Sequence, residues 1–410
     1  MFLSRLKNEI SHFNKLSSNG RDLIISFMLF SAAYPILSIF INAFLWKESA
    51  DYTIVALYNL FHFIGLPIGF YINAYLLNKF HVKSIYLLGC LLQGINAFIL
   101  IFIPHITIPI SIFFGLLYGL GGALFWANRT LLTLNHTEEK TRLYFNSLES
   151  SSNSIIAIII PFLVGWFIIF FEKYFTLSGN MSYQIIAFIG LLFLTLCGYK
   201  IRNIKTDIDT IQSVFLKKVS KKWSFFRTMT ILLGISDGLL YIIPTLIVLI
   251  LLGNEGILGT VQSVAAIISA MTVYYVGRKI GLEKRSHLLF IGIILAVISA
   301  IFFGSLFTAT AVLVFIGLNT MATPLIAIPW LNILYGQIES DSKQSESHQY
   351  AYIFDSELFL NIGRIIGVII FMTFALFSSR DLSLRFLPLI AAILQIPMVF
   401  LFRKIETKST

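Results

Sequence analysis

The stretch W-A-N at Trp126–Asn128, followed across a short charged loop by E-S-S-S-N at Glu149–Asn153, occurs a second time. It returns as W-L-N at Trp330–Asn332 and E-L-F-L-N at Glu357–Asn361. The tryptophans are 204 residues apart and the glutamates 208, so the second loop is four residues longer. An offset near half of a 410-residue chain reads as two copies of one unit. Each copy sets polar residues at the end of one apolar helix and the start of the next.

The composition around these copies is that of a membrane protein: 57% of residues are hydrophobic and only 12% charged, where a soluble domain carries about a quarter charged. A crossing helix needs ~20 mostly apolar residues. Twelve such runs are predicted, at about 22–46, 53–78, 84–103, 106–133, 146–171, 183–199, 228–252, 255–277, 286–305, 308–335, 350–376 and 384–402. The expected organisation is an N-terminal amphipathic segment (1–21), a first six-helix unit (22–199), a linker (200–227), a second six-helix unit (228–403) and a tail (404–410). No cleavable signal peptide is expected, because the first apolar run is long enough to span. The fold class is therefore all-α: twelve transmembrane helices in two pseudo-symmetric halves.

A net charge of +10 raises the question of nucleic acid. The basic residues lie in alternate loops rather than on one face, so no nucleic-acid partner is expected. With the N-terminus inside, inside segments hold 25 of the 30 Lys and Arg, and outside loops hold four. This asymmetry predicts both termini in the cytoplasm of a bacterial inner-membrane protein. A reporter fused after Thr410 and found outside the cell would overturn that orientation. In the segment 2–16, Leu3, Leu6, Ile10 and Phe13 recur at helical spacing, which predicts a helix lying on the membrane surface. The linker repeats the pattern with Ile204, Ile208, Ile211 and Phe215, followed by Lys217, Lys218, Lys221 and Lys222. A second surface helix is expected there, with a solvated linker as the alternative. Cys90 and Cys197 each sit inside an apolar run and read as reduced packing residues. No phosphate loop, nucleophile elbow or zinc-binding helix motif occurs, so neither an enzyme nor a cofactor is expected.

Twelve spans in two six-span halves, a basic central loop and termini on one side resemble the major facilitator superfamily. Local motifs are degenerate. The family's G-x-x-x-D-R-x-G-R-R between spans two and three corresponds here to Asn78-Lys79-Phe80-His81-Val82-Lys83. The second half keeps Arg278-Lys279-Ile280-Gly281. Of the G-P-x-x-G-G cluster in span five, only Pro161 and Gly165 remain. The resemblance implies a substrate cavity between two six-helix bundles that opens alternately to either side.

Ionisable groups inside apolar spans cost at least ~2.5–3.5 kcal/mol on insertion scales, so they mark a cavity or pair with one another. The candidates are His62, Glu149, Asp237, Asp355, Glu357 and Arg364, with the amides Asn153 and Asn361. Glu357, Asn361 and Arg364 are spaced i, i+4, i+7 and share one helix face, whereas Asp355 points elsewhere. One reading makes Arg364 the holder of an anionic or zwitterionic substrate and Glu357 a protonatable partner. The other makes them a structural ion pair. Asp237, within G-I-S-D-G (Gly234–Gly238), is the best single candidate for proton coupling; the alternative is a satisfied partner of Arg364. The two are compatible if the carboxylate exchanges Arg364 for a proton. Glu149, sharing a face with Asn153, reads as an inner-end contact with Arg129. His62 reads more readily as a packing residue than a proton carrier. Trp126 and Trp330 read as interface anchors, and Tyr34, Tyr58 and Tyr241 as candidate cavity residues. The expected function is a monomeric, proton-coupled secondary transporter of a small organic molecule. The alternatives are a facilitator-like sensor or assembly partner and, further off, an integral membrane enzyme.

Overall fold

A computed structural model of the chain describes residues 13, 16–136, 139–175, 180–204, 211, 213–279, 285–341, 346–378 and 380–406. Among the described residues, twelve helices are long and apolar enough to cross a membrane. They are α1 (Ser18–Ser49), α2 (Tyr52–Leu77), α3 (Val82–Ile101), α4 (Ile108–His136), α5 (Glu139–Tyr174) and α6 (Met181–Lys200) in the first half. The second half holds α7 (Lys221–Leu251), α8 (Glu255–Lys279), α9 (Arg285–Leu306), α10 (Ala309–Asp341), α11 (Glu346–Phe377) and α12 (Asp381–Ile405). With twelve crossings the start of α1 and the end of α12 lie on one side, the terminal side; the other is the far side.

Two spans are less regular than their apolar pattern predicts. In α1 the helix passes through a π turn at Ile36–Phe40, directly after Pro35. Proline brings no N–H, and its ring crowds the preceding turn, so the backbone opens to a wider hydrogen-bonded loop. Span twelve is two helices, Arg380–Leu394 and Ile396–Glu406. Pro397 again withholds a donor, and the break is bridged by short-range bonds from Gln395 N–H to Ala392 O (3.2 Å) and from Met398 N–H to Gln395 O (2.9 Å).

Within the first half α2 packs on α4, α3 on α4 and α6, and α1 on α5 and α6. Within the second, α7 packs on α11 and α12, α9 on α10 and α12, and α8 on α10. The halves meet chiefly through α5 against α8 and α2 against α11. These two contacts exchange when one half is superposed on the other, which is what an internal repeat requires. Glycines set the closest approaches. A Cβ at Gly119 would strike the backbone of His62 and Gly65, so α2 and α4 touch backbone to backbone. Gly165 rests on the carbonyl of Glu255, and Gly259 on that of Pro161, giving α5 and α8 a reciprocal seam.

The linker departs from the expected surface helix. Ile204 is buried in a turn, Ile208 lies outside the described residues, and Ile211 with 213–220 forms irregular chain. Ile211 is held by its backbone instead. Its N–H donates to Asn78 Oδ1 (2.9 Å) and its carbonyl accepts from Asn78 Nδ2 (3.2 Å) at the end of α2. Phe215 packs on Tyr71 of α2 and Phe354 of α11, with ring centroids 6.1 and 5.4 Å apart. Phe215 thus lies over the α2–α11 seam, with much of its own ring still exposed. The expected N-terminal surface helix falls almost wholly outside the described residues; Leu16, at its end, is buried in the core.

Candidate functional site

Asp237 on α7 and Arg364 on α11 meet near the middle of their helices, within the second half, with the Arg364 guanidinium facing Phe63 of the first. The approach is made possible by Gly238, whose Cα faces the Arg364 backbone so closely that any side chain would collide with it, and by Gly234 against Gly363. Arg364 donates to Asp237 Oδ2 from Nε and from Nη2, both at 2.6 Å, and from Nη1 to Asn361 Oδ1 at 3.2 Å. Asn361, fully buried, donates in turn to Glu357: 2.8 Å to the backbone carbonyl and 3.4 Å to Oε2. The spacing of Glu357, Asn361 and Arg364 on one helix face therefore becomes a chain of polar contacts that ends on Asp237. The pair is not sealed away: the Asp237 side chain is 41% exposed and that of Arg364 21%.

One cavity adjoins this chain and a second lies beyond it; Asp237 and Asn361 line neither. The first, about 230 Å³, is lined by Glu357, Arg364, His62, Tyr118, Trp126 and Gln93 among others. The second, about 300 Å³, is lined by Ser38, Gln262, Asn319 and Thr320 among others. Tyr34 and Tyr241 line both and stand between them. The π turn of α1 lies at this level, so the wider helix coil carries Ser38 beside Tyr34. His62 is buried, stacks near Tyr118 (4.5 Å between ring centroids) and Tyr241 (5.8 Å), and its Nδ1 finds no hydrogen-bond partner among the described residues. An imidazole left with an unpaired buried nitrogen is less settled than a packing residue would be.

The remaining candidates lie away from the cavities. Asp355 is gripped by Arg227 and by Trp223 Nε1 (2.6 Å), both from α7. As i and i+2 on a helix dictate, it faces away from Glu357 and fastens α11 to α7 within one half. Glu149 pairs with Arg129 of α4, and Asn153 Oδ1 accepts from Ser31 of α1 at 2.6 Å. These contacts tie α5 into the first half. Neither Glu149, Asn153 nor Asp355 lines either cavity. Tyr58, expected in the cavity wall, is buried behind it, and its neighbour Asn59 donates to Asn42 Oδ1 at 2.7 Å.

Sequence reasoning missed two features. Trp126, read as an interface anchor, lines the smaller cavity and stands edge-on to Phe30 and Tyr34, whereas Trp330 is buried and donates to Thr230 Oγ1 at 2.9 Å. The repeat thus spends the same residue in two ways. The second is an amide and phenol chain crossing the halves on the terminal side. Asn128 donates to Asn73 Oδ1, Asn73 to the Tyr350 hydroxyl (3.1 Å), and that hydroxyl to Phe70 O (2.6 Å). The available signal was an isolated Asn inside each of two apolar runs. Among the described residues no group of three or more His, Cys, Asp or Glu is placed to hold a metal ion.

Comparison with known proteins agrees with this architecture. The sequence model of the Major Facilitator Superfamily matches residues 23–343. An uncharacterized protein of Bacillus subtilis (strain 168), YqgE, is 25% identical over 392 residues, spanning 92% of this chain and 87% of its own. Among solved structures, a bacterial homologue of the iron transporter ferroportin in an inward-facing state superposes with a TM-score of 0.71 at 14% identity, covering 95% of this chain and 98% of that one. The POT family transporter PepTSo gives 0.70 at 9% identity (96% and 99%), and the nucleoside transporter NupG gives 0.68 at 13% (94% and 99%). At these identities the likeness is one of fold.

Proposed function

Because the chain belongs to the major facilitator superfamily, a family of membrane transporters, we propose that it is a proton-coupled secondary transporter of a small organic molecule, working by alternating access in a bacterial cytoplasmic membrane with both termini inside. The observation that carries this reading is the Asp237–Arg364 pair. It joins two helices of the second half, Arg364 lines a cavity shared with the first half, and both members keep part of their surface open. A carboxylate held by a guanidinium in such a place has two ways to be satisfied, the guanidinium or a proton. Exchange between them changes what Arg364 offers to the cavity it lines. Asn361 and Glu357 extend the effect along α11. The separate contacts of α5 with α8 and of α2 with α11 support rocking of one half against the other.

Flux in proteoliposomes under an imposed pH gradient tests the reading, using a substrate panel and comparing the parent with Asp237→Asn and Arg364→Ala. Loss of gradient-driven flux in Asp237→Asn, with exchange at equal pH retained, is the expected result. Flux unaffected by both changes would reduce the pair to a structural bond and refute the proposal.

A further inference from the structure

We propose that the cavity beside Glu357 binds an organic cation, an ammonium or delocalised cation carried on an apolar or aromatic body. The inference rests on the transporter reading above and names the substrate class of the same site. It starts from a charge count. The charged groups at the site are one guanidinium, Arg364, and two carboxylates, Asp237 and Glu357. Arg364 is already satisfied, since two of its nitrogens reach Asp237 and a third reaches Asn361. Glu357 is not. Among the described residues its side chain takes a single long contact, 3.4 Å from Asn361 Nδ2, and no Lys, Arg or His approaches it within ion-pair distance. The cavity wall holds Arg364 and Glu357; Arg364 is already neutralised by Asp237, which does not line the cavity, so the carboxylate left without a cationic partner is the one in the wall.

The rest of the wall is suited to supply the complement. Tyr34, Phe63, Tyr118, Trp126 and Tyr241 line the same space. The electron-rich faces of such rings attract cations, and the attraction grows where water is excluded. Phe63 already shows this, with the Arg364 guanidinium carbon 5.4 Å from its ring centre. An anionic ligand would meet the opposite conditions. It would have to displace Asp237 from Arg364, leave that carboxylate uncompensated, and face both Glu357 and the ring faces. A buried charge stranded in this way costs more than the new contact returns. A neutral ligand would leave Glu357 as unsatisfied as before.

The test uses size-matched probes of opposite charge on the intact purified protein in detergent: tetraphenylphosphonium with tetraphenylborate, and phenyltrimethylammonium with benzenesulfonate. Binding is read by quenching of tryptophan fluorescence, because Trp126 is in the cavity wall, and confirmed by equilibrium dialysis. At least one cation should bind with at least about tenfold preference over its anionic counterpart, the ratio expected for one charge contact in a partly dehydrated site. Glu357→Gln should erase that preference while the protein stays monodisperse. Equal binding of cation and anion, preference for the anion, no cation binding up to the solubility limit, or a preference that survives Glu357→Gln would each overturn the proposal. The charge-pair comparison on the parent protein stands even if Glu357→Gln does not fold. Cation binding lost in Glu357→Gln, with flux indifferent to a pH gradient, would refute proton coupling and leave this inference intact. Gradient-driven flux of an anion would do the reverse.

Discussion

Replacing Tyr350 with Phe removes one oxygen and tests how the halves are held on the terminal side. The ring is 1% exposed, so its packing is kept and only the hydroxyl contacts go. Two are lost: the bond received from Asn73 Nδ2 at 3.1 Å and the bond given to Phe70 O at 2.6 Å. Both connect α11 to α2. Each neutral buried hydrogen bond is worth about 0.5–1.5 kcal/mol net, so the pair is worth about 1–3 kcal/mol. Once the helices part, water can serve the same groups, and this free energy stabilises the joined arrangement alone. At about 1.4 kcal/mol per factor of ten, Tyr350→Phe should raise the parted population roughly 5- to 150-fold. The assay is the rate of maleimide labelling of a cysteine at Ile353, a residue of α11 in the cavity wall, in membranes exposed on the terminal side. Cys90 and Cys197 can stay, being fully buried. Labelling should quicken in the Tyr350→Phe background. An unchanged or slower rate, with the protein folded, would refute the idea that this hydroxyl holds the two helices together.

Two further outcomes follow from the packing. Gly119→Leu should abolish transport while membrane insertion persists, because no side chain fits between α4 and the backbone of His62 and Gly65; normal flux by this variant would remove the close contact from the mechanism. Asp355→Asn should cost stability rather than coupling, on the order of 2–4 kcal/mol, since it strips the Arg227 guanidinium of its carboxylate in a largely buried site. A lower unfolding temperature with an unchanged pH dependence of flux is the expected pair of readings, and a changed pH dependence would contradict the assignment.

The order of spans was legible because an apolar run of membrane length has one stable form in lipid, whatever its neighbours. Helix-face arithmetic also carried far. It put Glu357, Asn361 and Arg364 together and sent Asp355 elsewhere, and the contacts to Arg227 and Trp223 show where. The Asp237–Arg364 contact was foreseeable as one of two compatible readings, because two opposite charges in apolar spans have few other partners. What the chain did not disclose depends on distance between helices. Trp126 and Trp330 occupy equivalent places in the repeat, yet only the packed structure shows one in a cavity wall and the other bonded to Thr230. The linker misled for a related reason. Helical spacing of Ile204, Ile208, Ile211 and Phe215 promised a membrane-facing stripe, but the backbone N–H and carbonyl of Ile211 bond to the Asn78 side chain instead of to a helical turn. The aromatic wall was equally hidden, since 39 Phe and 17 Tyr leave no way to tell, from composition, which few meet around a space.

The seam between α5 and α8 has a consequence for how the halves can move. Each helix contributes one carbonyl and one glycine, Pro161 O facing Gly259 and Glu255 O facing Gly165. The arrangement resembles two teeth engaging two notches. Shift α8 by one turn and the teeth meet positions that carry side chains, such as Ser263 and Ile169, so no neighbouring register admits the same closeness. The contact acts as a detent. Side chains of the α2–α11 seam can trade partners by degrees, but the α5–α8 seam is engaged or it is not. If the halves rock as proposed, every return stroke must bring them back to one indexed position, which gives the cavity between them the same dimensions each time it forms.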